Sequence, residues 1–186
     1  DLVIECHEIS ATKDIEIKTL PCRVHKLELV APDVMVISLK LPTNQRLQFL
    51  AGQYIDILLK DGKRRSFSLA NAPHDDEYLE LHARNYPGGV FTEHVFTNMK
   101  VKDMLRFTGP LGSFFLRDTP EECSIIFLAS GTGFAPIKSI LEHVFHQEGG
   151  RHRKRNMTLY WGARTKSDLY LADLADKWQR EHDNFT

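Results

Sequence analysis

Hydrophobic and polar residues alternate differently in the two halves of the chain. Before the segment 118–122, short runs rich in Val, Ile and Leu predict strands over 21–30, 34–41, 54–59, 65–70, 78–84 and 104–108. Turn signals such as Asp61-Gly62 and Pro87-Gly88-Gly89 separate the runs, and 91–99 has the pattern of one short helix. Many short strands with frequent turns favour a small barrel or sandwich.

The second half alternates strands with helices. The pattern predicts a strand over 124–129, a helix over 136–147, a strand over 157–162 and a helix over 169–182. This βαβα order is typical of the start of a doubly wound parallel sheet. The chain begins with Asp1 rather than Met and stops at Thr186, where such a sheet needs its next strand. We therefore expect it to be part of a longer polypeptide.

Composition excludes several classes of function. A hydrophobic fraction of 42% and a net charge of −1 argue against disorder and against a nucleic-acid-binding field. No apolar stretch is long enough to span a bilayer and no signal peptide is evident, so we expect no membrane partner and a cytoplasmic protein. Cys6, Cys22 and Cys123 are too widely spaced to form a disulfide framework, a zinc site or an iron–sulfur site.

Two further patterns invite a binding site but have simpler explanations. The basic run 151–155 has no interleaved aromatic residues, so a solvated loop is favoured over a nucleic-acid site. His143 and His146 lie three residues apart on a predicted helix, without an evident third ligand. Packing or surface histidines are favoured over a metal site.

The turn Gly131-Thr132-Gly133 follows a buried strand and precedes a helix. Glycines let the backbone approach a phosphate closely, and the helix start offers unpaired N–H groups and a positive dipole end. Pro136 suits the first helical turn, where its missing donor costs nothing. It also replaces the third glycine of the dinucleotide fingerprint, so a plain loop before a core helix remains the alternative.

The first half has two candidate sites of its own. Along Arg65-Ser66-Phe67-Ser68, strand alternation puts Arg65 and Phe67 on one side and the two serines on the other. The alternative is an ordinary barrel strand with an exposed arginine. Gly88-Gly89, with Val90 and Thr92 behind it, exposes backbone N–H groups to an anion, or else simply caps a helix.

Taken in order, these segments resemble the ferredoxin–NADP⁺ reductase superfamily over residues 21–186. The resemblance is carried by Arg65-Ser66-Phe67-Ser68, Gly88-Gly89-Val90-Phe91-Thr92, Gly109-Pro110-Leu111-Gly112-Ser113-Phe114, Gly131-Thr132-Gly133-Phe134-Ala135-Pro136 and Tyr160-Trp161-Gly162-Ala163-Arg164. In character it is similar to reductases of bacterial oxygenases and to CDP-6-deoxy-glucoseen reductases. In those proteins a plant-type [2Fe–2S] domain often precedes the flavin domain.

The resemblance implies a six-stranded antiparallel Greek-key barrel that binds flavin over 21–118. A doubly wound parallel α/β domain that binds NAD(P)H follows over 119–186, incomplete because the family's Cys-Gly-Pro motif is absent. Residues 1–20 become a linker, or the tail of a missing domain that would hold any [2Fe–2S] cluster. With its nucleotide domain incomplete, we expect weak NAD(P)H binding.

By the same resemblance, Arg65 pairs with the flavin phosphate and Phe67 stacks on the isoalloxazine ring. Ser68 bonds near flavin N5 and Ser66 belongs to the same motif. Phe67 lacks the family's tyrosine hydroxyl, which removes a hydrogen bond worth about 0.5–1.5 kcal/mol. Tyr54, in a mainly structural Gly52-Gln53-Tyr54 segment, lies near the cofactor.

The glycine segments are assigned in the same way. Gly88, Gly89, Val90 and Thr92 hold a diphosphate, which favours FAD over FMN. Gly131, Thr132, Gly133 and Pro136 hold NAD(P)H. Arg164 and Lys166 could pair with a 2′-phosphate, but the choice between NADH and NADPH stays open.

The implied reaction is hydride transfer from NAD(P)H to FAD, followed by single-electron transfer to an iron–sulfur protein or oxygenase component. The cofactors supply this chemistry, so no catalytic acid–base residue is predicted. Two alternatives remain: an NAD(P)H:flavin reductase that releases reduced flavin, and a phosphate-binding module without redox activity.

Overall fold

Six strands form one antiparallel sheet in the computed structural model, which describes residues 15–117 and 119–186. They are β1 (Lys18–Ala31), β2 (Val34–Lys40), β3 (Tyr54–Leu58), β4 (Arg64–Ser68), β5 (Leu79–Arg84) and β6 (Met104–Leu111). Their order is β4-β3-β6-β1-β2-β5, and a bridge between Leu69 and Leu81 joins the ends of the sheet. The predicted six-stranded antiparallel barrel is confirmed.

Alternation of apolar side chains along the strands fills the barrel. Ile37, Leu39, Ile55, Ile57 and Phe107 are fully buried there. Helix α1 (Val90–Thr97) adds Phe91 and Val95 to the same core. A strand with one face buried is held in one register, because a shift by one residue would expose that whole face.

Two strands extend beyond their predicted limits. β1 begins at Lys18 and pairs with β6, so 18–20 of the predicted linker lie in the barrel sheet. The rest of that prediction falls mostly on residues 1–14, outside the described residues. β6 continues through Gly109 and Pro110 to Leu111, where it pairs with Tyr54 of β3. Pairing with β1 and β3 therefore extends β6 through Gly109 and Pro110, where the sequence pattern predicts the end of a strand.

The second half contains the parallel pair β7 (Ile125–Ser130) and β8 (Met157–Gly162), with α2 (Phe134–His146) and α3 (Ala172–Glu181). An isolated parallel bridge joins Met157 of β8 to Phe185, near the end of the described residues. The helices cover one face of this sheet, whereas Ile126, Leu128 and Tyr160 are exposed on the other. No helix in the described ranges is long and apolar enough to cross a membrane.

Both helices of this half differ from their predicted limits. α2 begins at Phe134, two residues earlier than predicted, so that Pro136 is its third residue. Proline is tolerated there because the first N–H groups of a helix have no intrahelical partner. α3 begins only at Ala172, because a short 3₁₀ turn (Lys166–Asp168) with a capping box from Thr165 precedes it.

The basic run is not simply a solvated loop. Arg155 is buried and donates to the Cys123 carbonyl oxygen (2.6 Å) and to Thr119 Oγ1 (2.8 Å). Arg153 donates to the carbonyl oxygen of Phe145, in the last turn of α2. The solvated-loop prediction is therefore wrong for these two residues, since their guanidinium groups satisfy backbone acceptors of neighbouring segments.

A buried polar contact joins the two halves. Lys138 of α2 donates to the Ala70 carbonyl oxygen (3.2 Å) and to Glu142 Oε2 (2.9 Å), and its Nζ lies 3.2 Å from Glu80 Oε1 of β5. Ser139 Oγ donates to the carbonyl oxygen of Asn71 (2.7 Å). These contacts fix α2, and the turn before it, against the barrel.

Candidate functional site

Strand β4 orients its side chains as the predicted alternation requires. Arg65 and Phe67 lie opposite two buried isoleucines of β3. Ser66 and Ser68 face the other way, and Ser66 Oγ donates to Asp56 Oδ1 (2.6 Å). Ser66 is thus engaged on the outer surface, away from the face that carries Arg65.

The face of β4 with Phe67 adjoins the start of α1. Phe67 is half-buried, and its ring centroid lies 5.4 Å from that of Phe91. Arg65 is exposed, with Nη1 donating to the Arg64 carbonyl oxygen (2.8 Å). Phe67 therefore contacts the start of α1, and Arg65 lies two residues before it on the same side of β4.

That segment, the 86–92 loop, requires both of its glycines. Gly88 has a φ of +78°, a conformation that side chains disfavour. A Cβ on Gly89 would lie 2.4 Å from Thr92 Oγ1 and 3.0 Å from the Tyr86 carbonyl oxygen. Thr92 Oγ1 donates to the Gly89 carbonyl oxygen (3.0 Å) and so closes the loop.

The loop presents an anion-binding N–H group at the start of α1. The Gly88 N–H donates to Glu93 Oε1 (2.9 Å), so a carboxylate already accepts from the loop backbone. Helix N-termini stabilise anions through unpaired N–H groups and the helix dipole. Val90 is exposed beside it. The geometry is suited to a phosphate group, which would compete there with Glu93.

The 131–133 turn forms the corresponding feature of the second half. Gly131 has a φ of +50°, and its carbonyl oxygen accepts from Trp161 Nε1 (3.0 Å). The Trp161 ring stacks on Phe134, with centroids 3.9 Å apart, which fixes the turn against α2. Thr132 is half-buried, and a Cβ on Gly133 would have no atom within 4 Å. The Gly133 side of the turn is therefore open at the start of a helix.

The end of β5 brings the two glycine segments together. Arg84 is its last residue, and a Cβ on Gly131 would lie 3.2 Å from Arg84 Nη1. Asn85 then leads directly into the 86–92 loop. Sequence reasoning missed Arg84, although a cation at a strand end just before a glycine pair was a visible signal.

The 52–54 segment makes structural contacts through the Gln53 side chain. Gln53 accepts from the Leu50 N–H at Oε1 (2.8 Å) and donates from Nε2 to the Gly112 carbonyl oxygen (3.0 Å). Tyr54 is half-buried and pairs with Ser68, and its ring packs against Gly112. Tyr54 therefore stands at the end of β4 next to Ser68.

The remaining predicted residues lie at the carboxyl edge of the parallel strands. β7 and β8 end side by side, so the exposed Arg164 follows the strand next to the 131–133 turn. Parallel sheets bind ligands at this edge. Tyr170, by contrast, is buried, and its hydroxyl hydrogen-bonds His82 Nδ1 (2.8 Å) rather than facing this edge.

His82 connects that tyrosine to the buried charges between the halves. Its Nε2 lies 2.8 Å from Glu80 Oε1, so Nε2–H donates to the carboxylate and Nδ1 accepts from the Tyr170 hydroxyl. Burial lowers the pKa of His82, although the bond to Glu80 opposes this. Burial raises the pKa of Glu80, but the His82 bond and the Lys138 charge outweigh it and lower the pKa to about 2.

We expect the protein to lose stability as the pH falls through the range in which histidine titrates. The folded-state pKa of His82 lies below its usual 6.5, so the stabilisation is complete above that value and is lost below it. One such group contributes up to about 1.4 kcal/mol per pH unit. Urea unfolding at about pH 7.5 and about pH 5.5 measures the effect, which His82→Gln should reduce. An unchanged pH dependence of stability in His82→Gln would contradict the assignment.

A histidine cluster lies nearby. His74 of the barrel stacks on His146, with centroids 3.7 Å apart, and lies 6.1 Å from the His143 ring. Burial lowers the pKa of both His74 and His143. Across the described ranges no group of three His, Cys, Asp or Glu residues could hold a metal ion. These rings pack the interface between the halves.

Comparison with known proteins identifies both halves. Residues 21–116 match the oxidoreductase FAD-binding domain family and residues 127–186 match the oxidoreductase NAD-binding domain family. The crystal structure of the Amycolatopsis reductase GcoB superposes with a TM-score of 0.83 at 33% identity, covering 92% of this chain and 51% of that one. The ferredoxin–NADP⁺ reductase of Plasmodium falciparum shares the fold alone, with a TM-score of 0.76 at 21% identity over 90% of this chain and 69% of that one.

Proteins related in sequence point to the same class of oxidoreductase. The CDP-6-deoxy-L-threo-D-glycero-4-hexulose-3-dehydrase reductase of Yersinia pseudotuberculosis is 38% identical over 99% of this chain and 54% of its own length. The terephthalate 1,2-dioxygenase reductase component 1 of a Comamonas species is 41% identical over 90% and 48%. This chain thus spans about half the length of these relatives. On these matches and on its barrel-plus-parallel-sheet fold, the chain belongs to the ferredoxin–NADP⁺ reductase superfamily of FAD- and NAD-binding oxidoreductases.

Proposed function

We propose that this chain forms the flavin- and nucleotide-binding part of an FAD-dependent NAD(P)H reductase. The observation that carries the proposal is the position of Arg84 and Asn85, which connect the 131–133 turn to the 86–92 loop. Both glycine segments precede helices whose first N–H groups donate to no capping side chain, a type of position that binds anions. Two nucleotides bound at these segments would have their reactive rings in one groove.

The residues divide between the two ligands. Phe67 would stack on the flavin ring and Arg65 would pair with its phosphate, whereas Gly88 and Gly89 leave the backbone room for a diphosphate. Ser68, the last residue of β4, and Tyr54, the first residue of β3, would lie beside the flavin ring. Val90 and Thr92 would complete the phosphate-binding 86–92 loop. We assign these roles from the position of each side chain on β4 or on the 86–92 loop.

The nucleotide side has a separate set. The open face at Gly133, with Gly131, Thr132 and Pro136, would receive NAD(P)H at the start of α2. Arg164 is exposed at the adjacent strand end, where it could meet a 2′-phosphate. When bound, the flavin would accept hydride from NAD(P)H and pass on single electrons. The protein itself would hold the flavin and nicotinamide rings at the distance and orientation that hydride transfer needs.

We propose an iron–sulfur centre or an oxygenase component as the electron acceptor. Two relatives support this assignment, because they are named as reductase components of a terephthalate dioxygenase and a phenol 2-monooxygenase. They are about twice as long as this chain, so we assign the electron acceptor by analogy with these two relatives.

Replacing Arg65 tests the flavin site. Arg65→Gln should weaken FAD binding by about 10- to 100-fold, as expected for the loss of a charge-assisted hydrogen bond to phosphate. FAD titration of the flavin-free protein, followed by fluorescence quenching, measures this. Arg64→Gln is the matched control, because Arg64 is also exposed on the same strand but faces the other side. Equal affinity in the two variants would remove Arg65 from the site.

One observation favours the alternative of a flavin reductase that releases its flavin. The Glu93 carboxylate accepts a hydrogen bond from the Gly88 N–H, where a diphosphate would bind. FAD would have to displace this carboxylate, which would weaken FAD binding. Gel filtration of the FAD-loaded protein separates the two functions. Retained FAD, reduced by NADH or NADPH, supports the electron-transfer reductase; lost FAD with turnover of added flavin supports the alternative.

A further inference from the structure

A buried hydrogen bond joins the barrel to the second half of the chain at His82. The His82 side chain is 0% exposed, and its Nδ1 lies 2.8 Å from the hydroxyl oxygen of Tyr170. Because the Glu80 carboxylate accepts from Nε2–H, Nδ1 of the neutral ring can only accept. Burial raises the pKa of the Tyr170 phenol, so its hydroxyl keeps the proton that it donates. The bond therefore runs in one direction, from Tyr170 to His82.

On the barrel side, His82 belongs to the strand that leads into the 86–92 loop. β5 ends two residues later at Arg84, which pairs with β2. The N–H of Asn85 then donates to the carbonyl oxygen of Asp33 (2.8 Å). This backbone pairing leaves little freedom between His82 and the loop, so a shift at His82 is transmitted to the loop.

On the other side, Tyr170 packs against the two rings that fix the 131–133 turn. Its ring meets Trp161 edge-on, with centroids 5.3 Å apart, and meets Phe134 edge-on at 6.4 Å. Trp161 in turn donates from Nε1 to the Gly131 carbonyl oxygen (3.0 Å). One buried tyrosine thus supports the aromatic pair that positions this turn.

The hydroxyl adds something that the ring does not. Without it, the Tyr170 ring would still pack on Trp161 and Phe134, but aromatic packing tolerates a range of offsets. A hydrogen bond has a narrow range of distance and angle. The contacts of Lys138 and Ser139 with the barrel hold α2 in place independently. Loss of the hydroxyl should therefore shift the turn slightly without separating the two halves.

We propose that Tyr170 and His82 are positioning residues, whose hydrogen bond sets the distance between the 86–92 loop and the 131–133 turn. The inference rests on the proposed function, in which these segments hold the two nucleotides. Both side chains are buried, so they act through β5 and Trp161 rather than by reacting themselves. Because hydride transfer depends steeply on ring distance and orientation, the bond should affect the rate of transfer more than nucleotide affinity.

The test compares Tyr170→Phe with Tyr78→Phe, which removes the hydroxyl of a half-buried barrel tyrosine that stacks on His25. The FAD-loaded protein is mixed with NADH or NADPH in the absence of oxygen, and the loss of flavin absorbance is followed by stopped flow. Tyr170→Phe should slow flavin reduction at saturating nucleotide by about 10- to 100-fold. The nucleotide dissociation constant should change by less than about threefold, and Tyr78→Phe should change neither quantity.

Two variants of His82 test the bond from its other end. His82→Asn keeps an acceptor atom at the δ position, whereas His82→Leu removes it, so His82→Asn should retain more of the reduction rate. The indole N–H resonance of Trp161, one of two tryptophans, reports the 131–133 turn without any ligand. Tyr170→Phe should shift this NMR resonance and speed its exchange with solvent.

Each outcome supports or overturns the positioning role. Slower reduction at unchanged nucleotide affinity supports it. An unchanged reduction rate in Tyr170→Phe, or weaker nucleotide binding alone, overturns it even if the Trp161 resonance moves, and leaves the proposed function standing. A parent protein that binds no FAD, or whose bound FAD neither nucleotide reduces, overturns both proposals.

Discussion

Replacing Lys138 by methionine is expected to lower the free energy of unfolding by about 3–5 kcal/mol, the cost of breaking a buried ion pair from one side. Lys138 is 8% exposed and lies between Glu80 and Glu142, at 3.2 Å and 2.9 Å from their nearest carboxylate oxygens. Without the ammonium group the two carboxylates, whose side chains are 26% and 28% exposed, would repel each other in a partly buried site. Burial already raises the pKa of Glu142 despite the Lys138 charge.

A double variant separates the charge from the packing. Lys138→Met combined with Glu142→Gln removes one of the two uncompensated carboxylates, so part of the lost stability should return. Urea unfolding of the four members of this cycle gives the coupling energy directly. A loss below about 1 kcal/mol in the single variant would show that Lys138 behaves as a solvent-screened surface cation.

The second large effect is expected at Gly52. It has a φ of +101°, and a Cβ there would lie 2.3 Å from the Phe114 carbonyl oxygen and 3.0 Å from Ile140 Cδ1. Gly52→Ala should therefore destabilise the protein by about 2–5 kcal/mol, of which about 1–2 is backbone strain and about 1–3 is overpacking. The substitution would push apart the barrel and α2, which meet at this residue.

Gly62 provides the matched control. Its φ of +80° carries a comparable strain, but a Cβ there has no atom within 4 Å. Gly62→Ala should cost only about 1–2 kcal/mol. Thermal or urea unfolding compares the two variants, and equal losses would contradict the proposed clash.

Much of the candidate site was predictable because it is local. The alternation of Arg65 and Phe67 against Ser66 and Ser68 depends only on strand geometry. Gly131 and Gly88 adopt positive φ angles in turns that their flanking patterns mark. The binding roles of these residues stay predictions until FAD and NAD(P)H titrations are made.

The interface between the halves was not predictable, for a physical reason. Lys138, Glu80 and His82 each look like ordinary members of an amphipathic helix or an alternating strand. Their burial results from contacts between residues about 58 positions apart in the chain, and no local pattern encodes such pairs. The same holds for Arg84, whose guanidinium group meets Gly131 of a distant segment.

The sequence by itself determined the short strand segments of the first half, the alternation of strands and helices in the second half, and the glycine turns before α1 and α2. These follow from side-chain periodicity and from backbone conformations that glycine alone adopts easily. Only the tertiary structure decided which charges are buried, that Arg155 anchors a loop, and that Arg84 lies between the two turns. Burial and pairing depend on which segments fold against each other, which is a property of the whole chain rather than of any stretch of it.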